Sequence, residues 1–371
     1  MLIGAPKEIK SDEYRVGLVP SAVRELCAHG HEVVVETQAG AGVAMLDEDY
    51  ERAGARILPD AKSVFDAAEM IVKVKEPQPE ECLMLREGQV LFTYLHLAPD
   101  PEQARLLQES GCIAVAYETV TAPDGTLPLL TPMSEVAGRL AVQAGAHCLE
   151  KEAGGCGVLL GGVPGVRPAH VVVIGGGVVG TNAVRMAIGN EAFVTVIDKS
   201  LPRLQTLDFQ FGGRLNTIYS TQEAIEEYVS GADLVIGAVL VPGAAAPTLI
   251  TRDMIGRMRR GTAFVDVAID QGGCSETSKA TTHSDPTYVV DEVVHYCVAN
   301  MPGAVPRTSA LALKNATLPF VLNIADKGYQ RALLDDPGLL DGLNVNAGQI
   351  TYQAVAAALG LDYTPAAESL T

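Results

Sequence analysis

Apolar residues fall along this chain in short β-branched runs separated by segments of helical period. In the first third, the runs predict strands over residues 2–5, 31–36, 70–75, 89–96 and 112–117. Helices are predicted between them, over 20–30, 47–54, 62–68 and 101–110. Sustained strand–helix alternation builds a parallel sheet covered on both faces. The first half therefore reads as a doubly wound domain, and it carries no glycine fingerprint. Residues 131–150 form a long helix rich in small residues, with Ser134 and Glu135 resembling a helix start. We read it as the connection to a second domain.

The second domain centres on residues 170–198, HVVVIGGGVVGTNAVRMAIGNEAFVTVID. A β-branched run meets Gly175, Gly177 and Gly180 at the spacing G-x-G-x-x-G, a helix-compatible segment follows, and a second β-branched run ends in Asp198. This is the pattern of a βαβ unit that holds a dinucleotide. Gly175 permits the tight turn, Gly177 lets the backbone approach a pyrophosphate, and Gly180 lets helix and strand pack closely. The helix N-terminus offers N–H groups and a partial positive charge to the phosphates. Asp198 is placed to accept hydrogen bonds from a ribose hydroxyl pair. Its carboxylate would repel a 2′-phosphate, which favours NAD over NADP, although Lys199 and Arg203 stand nearby. Further strands are expected over 234–239, 263–268, 288–290 and 296–298, and a helix over 309–326. The tail is expected to return to the first half. The expected division is residues 1–130 plus 306–371 for substrate and 131–305 for NAD, an α/β protein of two doubly wound parallel-sheet domains with a cleft between them.

Composition narrows the function classes. The 371 residues are 48% hydrophobic and 19% charged, with a net charge of −18. A nucleic-acid partner needs a basic face, and no block of basic residues occurs. The uncharged run over 234–251 is interrupted by Gly237, Pro242, Gly243 and Pro247, so it reads as a buried strand and loop rather than a membrane span. The seven cysteines are scattered without a C-x-x-C, the usage of reduced thiols in a cytoplasmic protein. No group of residues has metal-ligand spacing.

In open α/β sheets, ligands sit beyond the carboxyl ends of the strands. Arg15 follows the first strand, while Lys75 and His96 end the third and fourth. Asp270 follows the run over 263–268. Arg15 offers a planar fork for a carboxylate. Lys75 supplies a point charge beside a carbonyl oxygen, and His96 can exchange protons near neutral pH. Asp270 can hold an amine, or steer water and the imidazole. The set suits hydride transfer at the carbon next to a carboxylate. Glu8, Glu13 and Glu118 read as solvated charges or salt-bridge partners, and the remaining histidines as structural.

Several blocks then identify a family. IGAPKEIKSDEYRVGLVP, VKVKEP, LFTYLHLA, AYETV, PLLTPMSEVAGRLA, GGVPGV, VIGGGVVG, ADLVIGAVLVPGA, VDVAIDQGGC and CVANMPGAVPRTS together resemble the NAD-dependent L-alanine dehydrogenases over most of the length. The last sixty or so residues are the least distinctive. The resemblance implies reversible oxidative deamination of L-alanine to pyruvate and ammonium. It implies Arg15 and Lys75 as substrate ligands, His96 and Asp270 as the catalytic pair, and Asn300 facing both substrate and nicotinamide. Implied cofactor contacts are Ser134, Gly175, Gly177, Val178, Val179, Gly180, Asp198, Arg203, Ser220, Val239, Leu240, Val267, Ala268, Ile269, Asp270, Lys279, Val298, Ala299, Asn300 and Met301. A homohexamer is implied as well. The competing readings are the NAD-binding subunit of a proton-translocating transhydrogenase, a saccharopine- or opine-type dehydrogenase, and a silent NAD(H) sensor.

Overall fold

Two mostly parallel sheets organise the chain. The first takes β1 (Leu2–Ala5), β2 (Glu32–Glu36), β3 (Arg56–Leu58), β4 (Met70–Val72), β5 (Val90–Thr93) and β6 (Ile113–Ala116). The second takes β7 (His170–Ile174), β8 (Phe193–Asp198), β9 (Leu215–Tyr219), β10 (Leu234–Gly237), β11 (Ala263–Asp266), β12 (Thr287–Val290) and β13 (Val293–Tyr296). β14 (Leu343–Asn346) and β15 (Gln349–Ile350) then join the first sheet. The orders are β15-β14-β6-β5-β4-β1-β2-β3 and β12-β13-β11-β10-β7-β8-β9. This computed structural model describes residues 1–239 and 246–370. The chain forms two units: Met1–Met133 together with the chain from Val305 onward, and Ser134–Ala304.

The central strands are buried on both faces, and β4, β5 and β6 have no exposed position. That is why their sequences are unbroken apolar runs rather than alternating ones. In the first unit Val64, Phe65, Ile71, Leu91, Leu107 and Val345 share one core. In the second, Val172, Ile174, Val235, Ile255 and Phe264 do the same. The two doubly wound α/β sheets expected from the alternation are present.

Several expectations are corrected. β4 and β5 stop at Val72 and Thr93, short of Lys75 and His96, because the apolar run continues as buried coil: Val74, Tyr94 and Leu95 pack without joining the ladder. The strand expected over 263–268 ends at Asp266, whose side chain accepts from Ala268 N and opens a 3-10 turn, Val267–Gln271. The strand expected over 296–298 lies three residues earlier. His295 is fully buried there, edge-on to Phe264, with its Nε2 2.9 Å from Thr277 Oγ1. The connecting helix starts at Thr131, with Pro132 in its first turn, so Ser134 lies inside the helix and is not its cap. Neither sheet is wholly parallel: β14 runs antiparallel to β6 and β15, and β12 to β13. Among the described residues, no helix is long and apolar enough to cross a membrane.

Candidate active site

The first constellation forms at the carboxyl ends of three adjacent parallel strands, β1, β4 and β5. The segment after β1 returns Glu8, Glu13 and Arg15 to this edge. Arg15 is 2% exposed and Glu13 is buried beside it, not solvated. Arg15 donates from Nε to Glu13 Oε1 at 2.7 Å and from Nη2 to Oε2 at 2.5 Å. Its Nη1 lies 3.0 Å from the Met133 sulfur. Burial opposes both charges. The hydrogen bonds and charge of Arg15 still hold the Glu13 carboxyl below its usual range, and Glu13 holds the guanidinium above its own.

Lys75 is half-buried on the loop after β4. Its carbonyl accepts from Thr93 Oγ1 at 2.9 Å, which ties this loop to β5. Beneath it, the fully buried Lys73 ammonium bonds Glu8 at 3.0 Å and Glu81 at 2.7 Å. Glu8 also accepts from the Val74 amide at 2.6 Å. Burial, and then the charge of Arg15, lower the Lys75 pKa. Glu8 is therefore a buried salt-bridge partner that shapes the chain leading to Lys75.

His96 follows β5 with its backbone in the left-handed region, φ 49°. Glu118 sustains that conformation. Its carboxylate accepts from the His96 amide at 2.6 Å and the Leu95 amide at 3.2 Å. The His96 ring is half exposed and stacks parallel to Tyr94, centroids 5.8 Å apart. Tyr94 is fixed in turn by its hydroxyl, which donates to Leu129 O at 2.6 Å. A guanidinium, an amine and an accessible imidazole thus stand beyond neighbouring strand ends. Met133 and Tyr94 were not singled out from sequence, since nothing local distinguishes them from core residues.

The second constellation lies on the other sheet. β8 and β10 flank β7 on opposite sides, so chain order reverses there, the position where open α/β sheets bind nucleotides. Gly175 has φ +100°. Gly177 precedes the helix Val178–Gly189, and a Cβ built on it meets nothing within 4 Å. Space for a phosphate group at this helix start is what a dinucleotide requires. Asp198 accepts from Gly176 N through one oxygen and from Ser200 N through the other, both at 2.7 Å. Arg203 donates from Nε to Gly176 O at 2.5 Å and from Nη2 to Thr181 Oγ1. Both backbone polar groups of Gly176, its N–H and its C=O, are therefore clamped by side chains from the β8 side.

The other implied cofactor contacts divide by position. Val178 and Val179 open the helix. Gly138 packs against the Val179 carbonyl, which places Ser134, one turn earlier on the same face, beside this region. Ser220 N donates to Asp198 O at 3.0 Å, and Val239 follows β10. Leu240 lies outside the described residues. Val267, Ala268, Ile269 and Asp270 form the 3-10 turn after β11, and Asp270 accepts from the Asn300 amide at 3.2 Å. Val298, Ala299, Asn300 and Met301 follow β13, with Asn300 at φ 62°. Lys279 lies beside β12, where its amide donates to the Tyr288 hydroxyl at 2.8 Å.

One buried group missed in the sequence supports Asp270. Asp266 is fully buried and accepts from Ala268 N at 3.0 Å, Cys274 N at 2.8 Å and Ser278 Oγ at 2.5 Å. Burial raises its pKa, against the pull of these donors. Asp266→Ala strands buried donors on both sides of Asp270 and is expected to cost about 3 kcal/mol. The denaturation midpoint in urea measures it, and an unchanged midpoint would contradict this role.

These features define an α/β protein with a glycine turn of the dinucleotide-binding pattern on one sheet and an edge carrying Arg15, Lys75 and His96 on the other. The chain matches the description "Alanine dehydrogenase/PNT, N-terminal domain" over residues 4–137 and "Alanine dehydrogenase/PNT, C-terminal domain" over residues 141–353. It is 63% identical to an alanine dehydrogenase of Halomonas elongata, over 99% of each chain. A solved structure titled L-alanine dehydrogenase superposes with a TM-score of 0.95 at 53% identity, covering 97% of this chain and 99% of that one. A transhydrogenase structure from Sinorhizobium meliloti shares the fold, with a TM-score of 0.83 at 24% identity over 95% of this chain and all of that one. The chain belongs to the alanine dehydrogenase/PNT family.

Proposed function

We propose that this chain catalyses the reversible NAD-dependent oxidative deamination of L-alanine to pyruvate and ammonium. The observation that carries the site assignment is the meeting of Arg15, Lys75 and His96 at adjacent strand ends. The glycine turn and Asp198 hold the cofactor, whose chemistry is to accept the hydride from the substrate Cα. Arg15 binds the substrate carboxylate. Once the Cα is oxidised to the imine, His96 takes the proton from the attacking water and passes it to the departing amine. Lys75 donates to the oxygen that becomes the pyruvate carbonyl. Asp270 orients water and the nitrogen, and Asn300 contacts substrate and nicotinamide. The first unit is the substrate domain and the second the NAD domain.

The test is NADH consumption with pyruvate and ammonium, each omitted in turn; consumption that persists without ammonium would contradict amination. The transhydrogenase reading is the weaker one, because that likeness is at 24% identity and shows fold alone. The seven cysteines, all unpaired, support a cytoplasmic location. Family membership supports a homohexamer, to be checked by light scattering.

The lowered Lys75 pKa has a kinetic consequence. A lysine whose charged form is disfavoured loses its proton at lower pH than an ordinary one. The KM for pyruvate is expected to rise on the alkaline side before the usual lysine range. Lys75→Arg, whose charge does not titrate there, should shift that rise to higher pH. An alkaline limb unmoved by the substitution would remove Lys75 from this role.

A further inference from the structure

We infer that Glu13 is a specificity-determining residue, which tunes the pocket to substrates carrying a single negative charge. The inference rests on the assignment of Arg15 to the substrate carboxylate.

The geometry is unusual for an anion site. A guanidinium has two two-pronged edges for carboxylates, Nε with Nη2 and Nη1 with Nη2, and its side edge is the Nε one. Here Glu13 occupies the side edge, through Nε and Nη2, so a ligand is directed to the end that carries Nη1. Nη1 lies against the Met133 sulfur, a weak acceptor that a substrate carboxylate would displace. Glu13 also accepts from the Arg15 amide at 3.0 Å, so one carboxylate sets both backbone and side chain. Both partners are buried, where charge is poorly screened.

Two consequences follow. The direction from which a carboxylate approaches Arg15 is fixed, because the other edge is taken. The charge of Arg15 is offset before any substrate arrives, and Glu118 adds a further carboxylate beside His96. Lys75 is then the cation of this edge that is left to meet a substrate. The neighbouring Lys73 faces two carboxylates of its own, Glu8 and Glu81, and adds no surplus. One such cation is matched to a monoanion such as pyruvate. A 2-oxo acid with a second carboxylate would leave one buried negative charge uncompensated, a costly arrangement.

Oxamate and oxalate test this directly. They have nearly the same size and shape and differ by one charge. Both are measured as inhibitors competing with pyruvate in the amination direction. The wild-type chain should bind oxamate more tightly. Glu13→Gln adds one unit of net positive charge, which favours a dianion twice as much as a monoanion, so the preference should move towards oxalate by about tenfold or more. Glu13→Asp retains the charge; it should weaken both inhibitors and leave their ratio near wild type. A purely structural role for Glu13 would raise both inhibition constants together in Glu13→Gln, and an unchanged ratio overturns the inference. Should Glu13→Gln not fold, a wild-type chain that prefers oxalate overturns it equally. A wild-type chain that does not reduce pyruvate at all overturns the functional assignment, and this inference with it.

Discussion

Replacing His96 by Asn is expected to lower kcat by about 10²–10⁴-fold, the range that positioned general acid–base groups contribute. NADH affinity should stay within about twofold, because the imidazole belongs to the substrate edge and not to the dinucleotide turn. Asn is the informative choice on backbone grounds. His96 sits at φ 49°, where Asn is tolerated far better than Ala. The amides of Leu95 and His96 keep their bonds to Glu118 whatever side chain follows. A loss of turnover in His96→Asn at unchanged melting temperature therefore reports on the imidazole itself. Substantial kcat in this variant would remove His96 from the proton relay. Steady-state kinetics with a separate NADH titration distinguishes the outcomes.

The fingerprint glycines should separate cofactor binding from folding. A Cβ on Gly177 meets nothing within 4 Å, so Gly177→Ala should fold with near-normal stability. Its methyl would occupy the space through which the backbone approaches the pyrophosphate, and NADH affinity should fall by an order of magnitude or more, about 1.4 kcal/mol per tenfold. Gly180 is the opposite case. A Cβ there lies 1.8 Å from the Gly175 carbonyl oxygen, a backbone atom in a turn that is itself at φ +100°. Gly180→Ala must push the helix off β7 and is expected to cost about 2–3 kcal/mol of stability together with NADH binding. Equal stability losses in the two variants would contradict the division of labour along the turn. Thermal unfolding with and without NADH makes the measurement.

The dinucleotide turn was legible in the sequence because its determinants are local. Three glycines, two β-branched runs and one acid lie within thirty residues, and each acts on its neighbours. Lys75 and His96 follow the carboxyl ends of β4 and β5, as the strand-end rule expects, although both strands are shorter than their apolar runs suggest. Less legible was which polar residues are buried, and with what partner. Glu13 sits in the charged string DEYR, which looks like a solvated loop until Arg15 turns its guanidinium back on it. Glu8 is revealed only by Lys73, 65 residues away. β14 reads LNVN, and asparagine is a poor strand former. Its asparagines are buried because Asn344 donates to Thr119 Oγ1 and Gly342 O, and Asn346 to Ser369 O. The position of β13 was missed because His295, a polar letter in the sequence, is satisfied by Thr277 and by the Val293 carbonyl. Buried polar residues with tertiary partners account for most of what the hydrophobic pattern could not show.

In the proposed function, the two constellations perform one reaction, hydride transfer from the Cα of alanine to NAD. The most direct measurement is the appearance of NADH absorbance on mixing the purified chain with NAD and L-alanine, with pyruvate quantified in the same sample. One pyruvate is expected for each NADH formed, with Arg15→Met and His96→Asn each suppressing both products. Absence of NADH with L-alanine, or NADH formed without an equal amount of pyruvate, would contradict it.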